Sequence, residues 1–116
     1  MTISVTSRHA NMSDAMKAHV HAKLASVLES FPEVEFAHAV IAVEKFRHSI
    51  EVSVQGRHAL RLEAKDESDN LYASVEKVAD RLDRQLRSWR EKLVDHKSTR
   101  QRTKLADFEQ KLNRTE

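Results

Sequence analysis

Leu71, Val75, Val78, Leu82, Leu86, Trp89 and Leu93 recur at intervals of four, three, four, four, three and four residues. That spacing follows the turn of an α-helix and puts all seven side chains on one stripe. A helix with a single apolar stripe is stabilised by burying it against something else. The rest of the chain must therefore supply a complementary surface. The period predicts a helix over about residues 70–96, long enough to cross a whole sheet, and Asp66–Asn70 offers several side chains that can cap its start.

The remaining segments supply that surface. Ile3 and Val5 alternate with Thr2, Ser4 and Thr6, which reads as a short half-buried strand. Ser13 is placed to cap a helix, and Asp14 suits its first turn. Met16, Val20, Leu24, Val27, Leu28 and Phe31 follow at helical spacing until Pro32 stops the run, so residues 14–30 are expected to be helical. Val34–Lys45 is apolar in both registers, the mark of a central strand. Phe46, Arg47 and His48 read as a hairpin connection. Ile50, Val52 and Val54 alternate with Glu51, Ser53 and Gln55; Gly56, the only glycine, marks a turn. Leu60, Leu62 and Ala64 alternate with Arg61, Glu63 and Lys65. The order is β-α-β-β-β-α. Two helices with single apolar faces and a sheet with one apolar face make this an α+β fold, a two-layer sandwich with two helices packed on one face of a four-stranded sheet. The first two strands, joined through a helix, can lie parallel; the hairpins are antiparallel.

Size and composition narrow the function. The 116 residues suit one domain, and the absence of cysteine excludes disulfides, thiolate metal sites and cysteine nucleophiles and fits a cytoplasmic protein. No apolar run approaches the roughly 18 residues that span a bilayer, and Met1–Val5 lacks the features of a signal peptide. No membrane partner is expected. Residues 1–96 carry 14 Lys/Arg against 15 Asp/Glu, and residues 97–116 carry six against three. Bulk charge thus gives no case for a nucleic-acid partner, and any such case must come from the pattern. The organisation expected is a domain over residues 1–97 followed by a basic, flexible tail over 98–116, in which Leu105, Phe108 and Leu112 can at most form one short amphipathic helix.

On a helical wheel of the last helix, Lys77, Arg81, Arg84 and Ser88 fall nearly opposite the apolar stripe, with Lys92 at the edge. Glu76, Asp80 and Asp83 gather on a third arc with Arg87 and Arg90. A stripe of cations on a rigid helix suits phosphate oxygens. The same residues also suit a solvated face stitched by Asp80–Arg84 and Asp83–Arg87 pairs, and the charge pattern alone leaves both readings open. Lys23 on the first helix extends the stripe if the helices lie side by side, and Arg8 and His9 in the loop after the first strand would widen it. The seven histidines show no ligand spacing; His19 and His21, two apart on a helix, diverge. There is no G-x-S-x-G elbow, P-loop or H-E-x-x-H. Neither an enzyme, a metal site, a cofactor nor a small-molecule substrate is expected. The open sheet face would show Ser4, Glu51, Ser53, Arg61 and Glu63, without the aromatic platform on which an RRM stacks bases. A protein-interaction module using that face or the tail is the alternative.

At the last helix the pattern becomes specific. Asn70-Leu71-Tyr72-Ala73-Ser74-Val75, followed by Asp80-Arg81-Leu82-Asp83-Arg84-Gln85-Leu86, resembles the D-M-Y-A-A-I-D … D-K-L-x-R-Q-L signature of the ribosome hibernation promoting factors, whose family includes the ribosome-associated inhibitor called protein Y. Ile3-Ser4-Val5-Thr6-Ser7-Arg8-His9 resembles the family's I-x-I-S-G-R-N, and Val43-Glu44-Lys45 its V-E-K. The likeness runs over about residues 2–97, in order, and is to the short form without a dimerisation domain. It implies a fold related to double-stranded-RNA-binding domains. It implies a partner in the 30S subunit and the 70S ribosome, docking on 16S rRNA at the decoding region, and inhibition of translation in stress or stationary phase by blocking mRNA and tRNA. The free protein is expected to be a monomer. By position, the resemblance carries RNA contact to Arg81, Arg84 and Gln85, to Lys23 and to Arg8. With Lys77, Arg87 and Arg90 from the wheel, these complete the expected RNA-binding set. Ser88 and Ser26 stand where the family often has Lys, Asn70 where it has Asp, and Ser7 where it has Gly.

Overall fold

The computed structural model describes the backbone of residues 1–8 and 13–110 and the side chains of residues 1–8 and 13–93. Along the chain run β1 (Thr2–Arg8), α1 (Asp14–Leu28), β2 (Val34–Glu44), β3 (Arg47–Gly56), β4 (Arg61–Ser68) and α2 (Leu71–Gln110). The strands form one sheet in the order β1-β2-β3-β4, with β1 parallel to β2 and the other pairs antiparallel. The α+β order expected from the sequence is the one observed, including the central place of β2, apolar in both registers.

Register explains the core. Ile3 and Val5 lie across from Ala37 and Ala39; Ala37, Ala39 and Ile41 across from Val54, Val52 and Ile50; Val52 and Val54 across from Ala64 and Leu62. These residues make one inward row per strand, because side chains alternate across a sheet. Val20, Leu24 and Leu28 of α1 are buried, as are Leu71, Val75, Val78, Leu82 and Leu86 of α2. At about 1.5–3 kcal/mol for each large aliphatic side chain, this burial dominates the stability of the sandwich.

The helix starts are built as expected. The backbone N–H of Met16 donates to Ser13 Oγ (3.1 Å), which caps α1. Asn70 Oδ1 accepts from the backbone N–H of Tyr72 (3.0 Å) and of Ala73 (3.4 Å). Asn caps a helix about as well as Asp, so the departure from the family's Asp keeps the cap. Ser74, the one buried polar residue among the described residues, is satisfied by a 2.7 Å hydrogen bond between its hydroxyl and that of Ser68.

Three details differ from the sequence reading. The β2–β3 connection is the two-residue turn Lys45-Phe46, with Arg47 and His48 already in β3, and Lys45 adopts φ 47°. Gly56 has an ordinary φ; it is required because a Cβ there would lie 2.1 Å from the carbonyl oxygen of Glu33. The left-handed turn residues are instead His58 (φ 59°) and Ala59 (φ 60°). Finally, α2 continues to Gln110, well past residue 96. The chain groups into two compact units, Met1–Leu86 and Arg87–Glu116. His9 and the side chains of Leu105, Phe108 and Leu112 lie outside the described residues.

Gly56→Ala must displace backbone, not a flexible side chain end. It is expected to cost about 2–3 kcal/mol, in the range of overpacked sites, read as a lower midpoint of urea or thermal unfolding. An unchanged midpoint would show that the Glu33–Val34 backbone yields freely.

Candidate nucleic-acid interface

Burial of its apolar stripe turns the opposite side of α2 to solvent. Lys77 and Arg84 are both exposed there, seven residues apart on that side, and neither makes an ion pair or hydrogen bond among the described residues. The Asp80–Arg84 pair that would have neutralised Arg84 is not formed. At 1.5 Å of rise per residue the two cations stand roughly 10 Å apart along the helix axis. Glu76 and Asp80 are exposed on the same helix. The face is therefore mixed in charge, with two unpaired cations at fixed separation.

Arg81 does something else. Its guanidinium donates to the backbone carbonyl of Lys65 in β4 and stands 3.5 Å from the carboxylate of Asp66. Asp66 continues the inward row of Leu62 and Ala64, lies across from Ile50 and is only 10% exposed. A carboxylate at that register needs a cation, and Arg81 supplies it. The same contact satisfies a carbonyl on β4, an edge strand of the sheet. So Arg81 leaves the stripe it shares on the wheel with Lys77 and Arg84 and leans onto the sheet edge. A shallow groove lined by Ser49, Ile50, Glu51, Lys65, Asp66 and Glu67 opens beside it.

Lys23 faces α2. Its Nζ lies 2.9 Å from Glu76 Oε1, and the His19 and Tyr72 rings, 5.0 Å apart, mark the same side-by-side packing of the helices. Its charge is thus partly offset. Arg8, at the end of β1, is exposed. Gln85 is half-buried, and its Oε1 is shut off from solvent without a hydrogen-bond partner among the described residues. That oxygen is not placed to reach RNA. Arg87 is exposed and Arg90 half-buried; both lie in the second unit, and both take part in an interaction. The single converging basic surface expected from the sequence is therefore reduced within the first unit to Lys77 and Arg84, with a partnered Lys23 and with Arg8 at the end of β1.

The open face of the sheet holds two residues that the sequence reading passed over. Phe36 and His38 stack with ring centroids 6.5 Å apart and planes at 3°, and His38 Nδ1 is hydrogen-bonded to Ser4 Oγ (3.0 Å). Both belong to the register of Thr2 and Ser4, so alternation along β2 was the signal that could have found them. Among the described residues there is no group of three or more His, Asp or Glu side chains able to hold a metal ion, and no helix is long and apolar enough to cross a membrane.

Known proteins share this architecture. The profile of the family described as sigma 54 modulation protein / S30EA ribosomal protein matches residues 3–94. The ribosome hibernation promoting factor of Pseudomonas putida is 29% identical over 94 residues, covering 79% of this chain and 89% of that protein. Its namesake in Escherichia coli K12 is 26% identical over 96 residues, covering 83% of this chain and all of that protein. Among solved structures, a ribosomal subunit interface protein from Coxiella burnetii superposes with a TM-score of 0.72 at 22% identity, covering 78% of this chain and 99% of that one. The N-terminal domain of Thermus thermophilus Protein Y gives 0.68 at 24% identity, covering 77% and 99%.

If Arg81 serves Asp66, the fold should feel its loss. Arg81→Ala is expected to lower stability by about 1–2 kcal/mol, since it strands a mostly buried carboxylate. Arg84→Ala should change stability by less than about 0.5 kcal/mol, as at an ordinary surface site. Asp66→Asn combined with Arg81→Ala should recover part of the loss. Denaturant unfolding of the parent, Arg81→Ala, Asp66→Asn and the double variant reads the coupling, and strict additivity would contradict it.

Proposed function

Because the chain belongs to the sigma 54 modulation protein / S30EA ribosomal protein family, we propose that it is a ribosome hibernation factor that docks on the small subunit at the decoding region and blocks the sites of mRNA and tRNA. The relatives named ribosome hibernation promoting factor support this reading over nearly their full length. Its partners are then the 30S subunit, the 70S ribosome and 16S rRNA, and its place of work is the cytoplasm.

The observation that carries the reading is the unpaired Lys77 and Arg84 on the outer side of α2. An RNA backbone presents phosphates in a fixed geometry, and cations held on a rigid helix meet them at little entropic cost. Backbone contacts position a protein on folded RNA without reading sequence, which suits a factor that must recognise one shape on every ribosome. Inhibition is then occlusion and requires no reacting group.

The other cations take supporting parts. An exposed ion pair is worth about 0–1 kcal/mol, so a phosphate can displace Glu76 from Lys23. Arg8, Arg87 and Arg90 are proposed as further contacts. Arg81 acts by holding α2 to the edge of β4, and Gln85 contributes at most through its amide nitrogen.

Co-sedimentation with purified 30S subunits tests this. Lys77→Glu with Arg84→Glu should abolish binding while the unfolding midpoint stays near that of the parent. Binding of the parent should weaken with salt at a log–log slope of about −2 to −4, for a few phosphates neutralised at somewhat under one unit each. A double variant that sediments like the parent would refute the assigned face.

A further inference from the structure

The registers bring several chain segments to one end of the sheet. Arg8 lies across from Ala42, Glu44 across from Arg47, and His48 across from Ser68. The end of β1, the β2–β3 turn, the end of β4 and the first turn of α2 therefore meet at this end. At its tip stands Phe46, 82% exposed, the most exposed large hydrophobic side chain among the described residues. Lys45 and Arg47 flank it, and both are exposed.

The turn is tight and held in an unfavourable conformation. Two residues join the strands, and Lys45 takes φ 47°, a region that residues with a Cβ adopt uncommonly and that hairpins usually fill with Asn, Asp or Gly. Here the turn holds a lysine and a phenylalanine instead. An aromatic ring projected into water from a rigid turn contributes nothing to the core. Strained positions of this kind concentrate at sites of function.

We infer that the β2–β3 turn is a second RNA contact, in which the Phe46 ring stacks on an unpaired base of rRNA while Lys45 and Arg47 meet the phosphates on either side. The inference rests on the proposed ribosome docking and adds to it a contact away from the outer side of α2. Three features favour an RNA base over a protein partner. The ring stands between two cations. Among the described residues no apolar patch surrounds it: Phe36 and Met1 lie toward the opposite end of the sheet, and Tyr72, 55% exposed, is the one other exposed large hydrophobic described at this end. A stable protein interface needs a continuous patch of about 800 Å² per partner, whereas a base needs only one ring face and nearby cations. Acids are present here too. Glu67 pairs with Arg47 at 3.4 Å, with both side chains more than half exposed, and Glu44 and Asp69 are exposed. The Arg47–Glu67 pair is a solvated one that a phosphate can displace, and Lys45 makes no ion pair among the described residues.

The test is equilibrium binding of the full chain to purified 30S subunits. Phe46→Ala should weaken binding on the order of tenfold, the range of one base–aromatic stack, without moving the unfolding midpoint. Phe46→Tyr and Phe46→Trp should restore it, and Phe46→Leu, apolar without a π face, should not. In Phe46→Trp the added indole emission, taken relative to the parent with its native Trp89, should be quenched on binding. Parental affinity in Phe46→Ala, or full restoration by Leu with no indole quenching, overturns the stacking contact while leaving ribosome docking intact. A parent chain that fails to bind 30S subunits overturns both.

Discussion

Everything at the surface of this molecule follows from the burial of one stripe of α2. Leu71, Val75, Val78, Leu82 and Leu86 are nearly inaccessible to water, and together with the inward rows of β2 and β3 they form the core. A helix pinned by one side has no freedom to choose what it shows on the other. Lys77 and Arg84 are presented to solvent because their neighbours two positions away on either side, Val75 and Ala79 for the one and Leu82 and Leu86 for the other, are held in the interior. The same constraint explains why the basic residues need no loop to display them.

The charges that remain are divided between two tasks. Asp66 occupies an inward register, and a carboxylate there would cost much without a cation. Arg81 supplies one and also satisfies a carbonyl of the edge strand β4. Lys23 meets Glu76 across the two helices. Of the five expected cations within the first unit, Lys23 and Arg81 thus contribute to holding elements together, and Arg8, Lys77 and Arg84 are left exposed. A docking surface made of few free cations on a well-fixed frame gains selectivity from geometry, since attraction at long range is weak in a chain whose formal net charge is only +2.

Much of this was legible in the residues. The four-three spacing gives α2, alternation gives β3 and β4, and an apolar run in both registers gives a central β2. The same alternation, carried two residues past Ala64, places Asp66 inward and so explains Arg81; a wheel of α2 alone puts Arg81 in a continuous stripe. The Lys45-Phe46 turn was hidden because neither residue favours a positive φ, so no composition signal marks it. Gly56 was recognised as special for a plausible but different reason, since a close backbone approach leaves no trace in sequence. The end of α2 was set at the last apolar repeat, yet a helix continues on hydrogen bonds alone where no glycine or proline intervenes, and the only examples of each are Gly56 and Pro32.

The central claim is that the outer side of α2, and not the open face of the sheet, meets rRNA. The chain has no cysteine, so a single one can be introduced to carry a tethered iron chelate. Placed by Asp80→Cys between Lys77 and Arg84, the chelate should generate hydroxyl radicals that cut 16S rRNA around the decoding region of bound 30S subunits. Placed by Ser53→Cys on the open face, it should cut that region weakly. Cleavage of the decoding region from position 53 and none from position 80 would contradict the account.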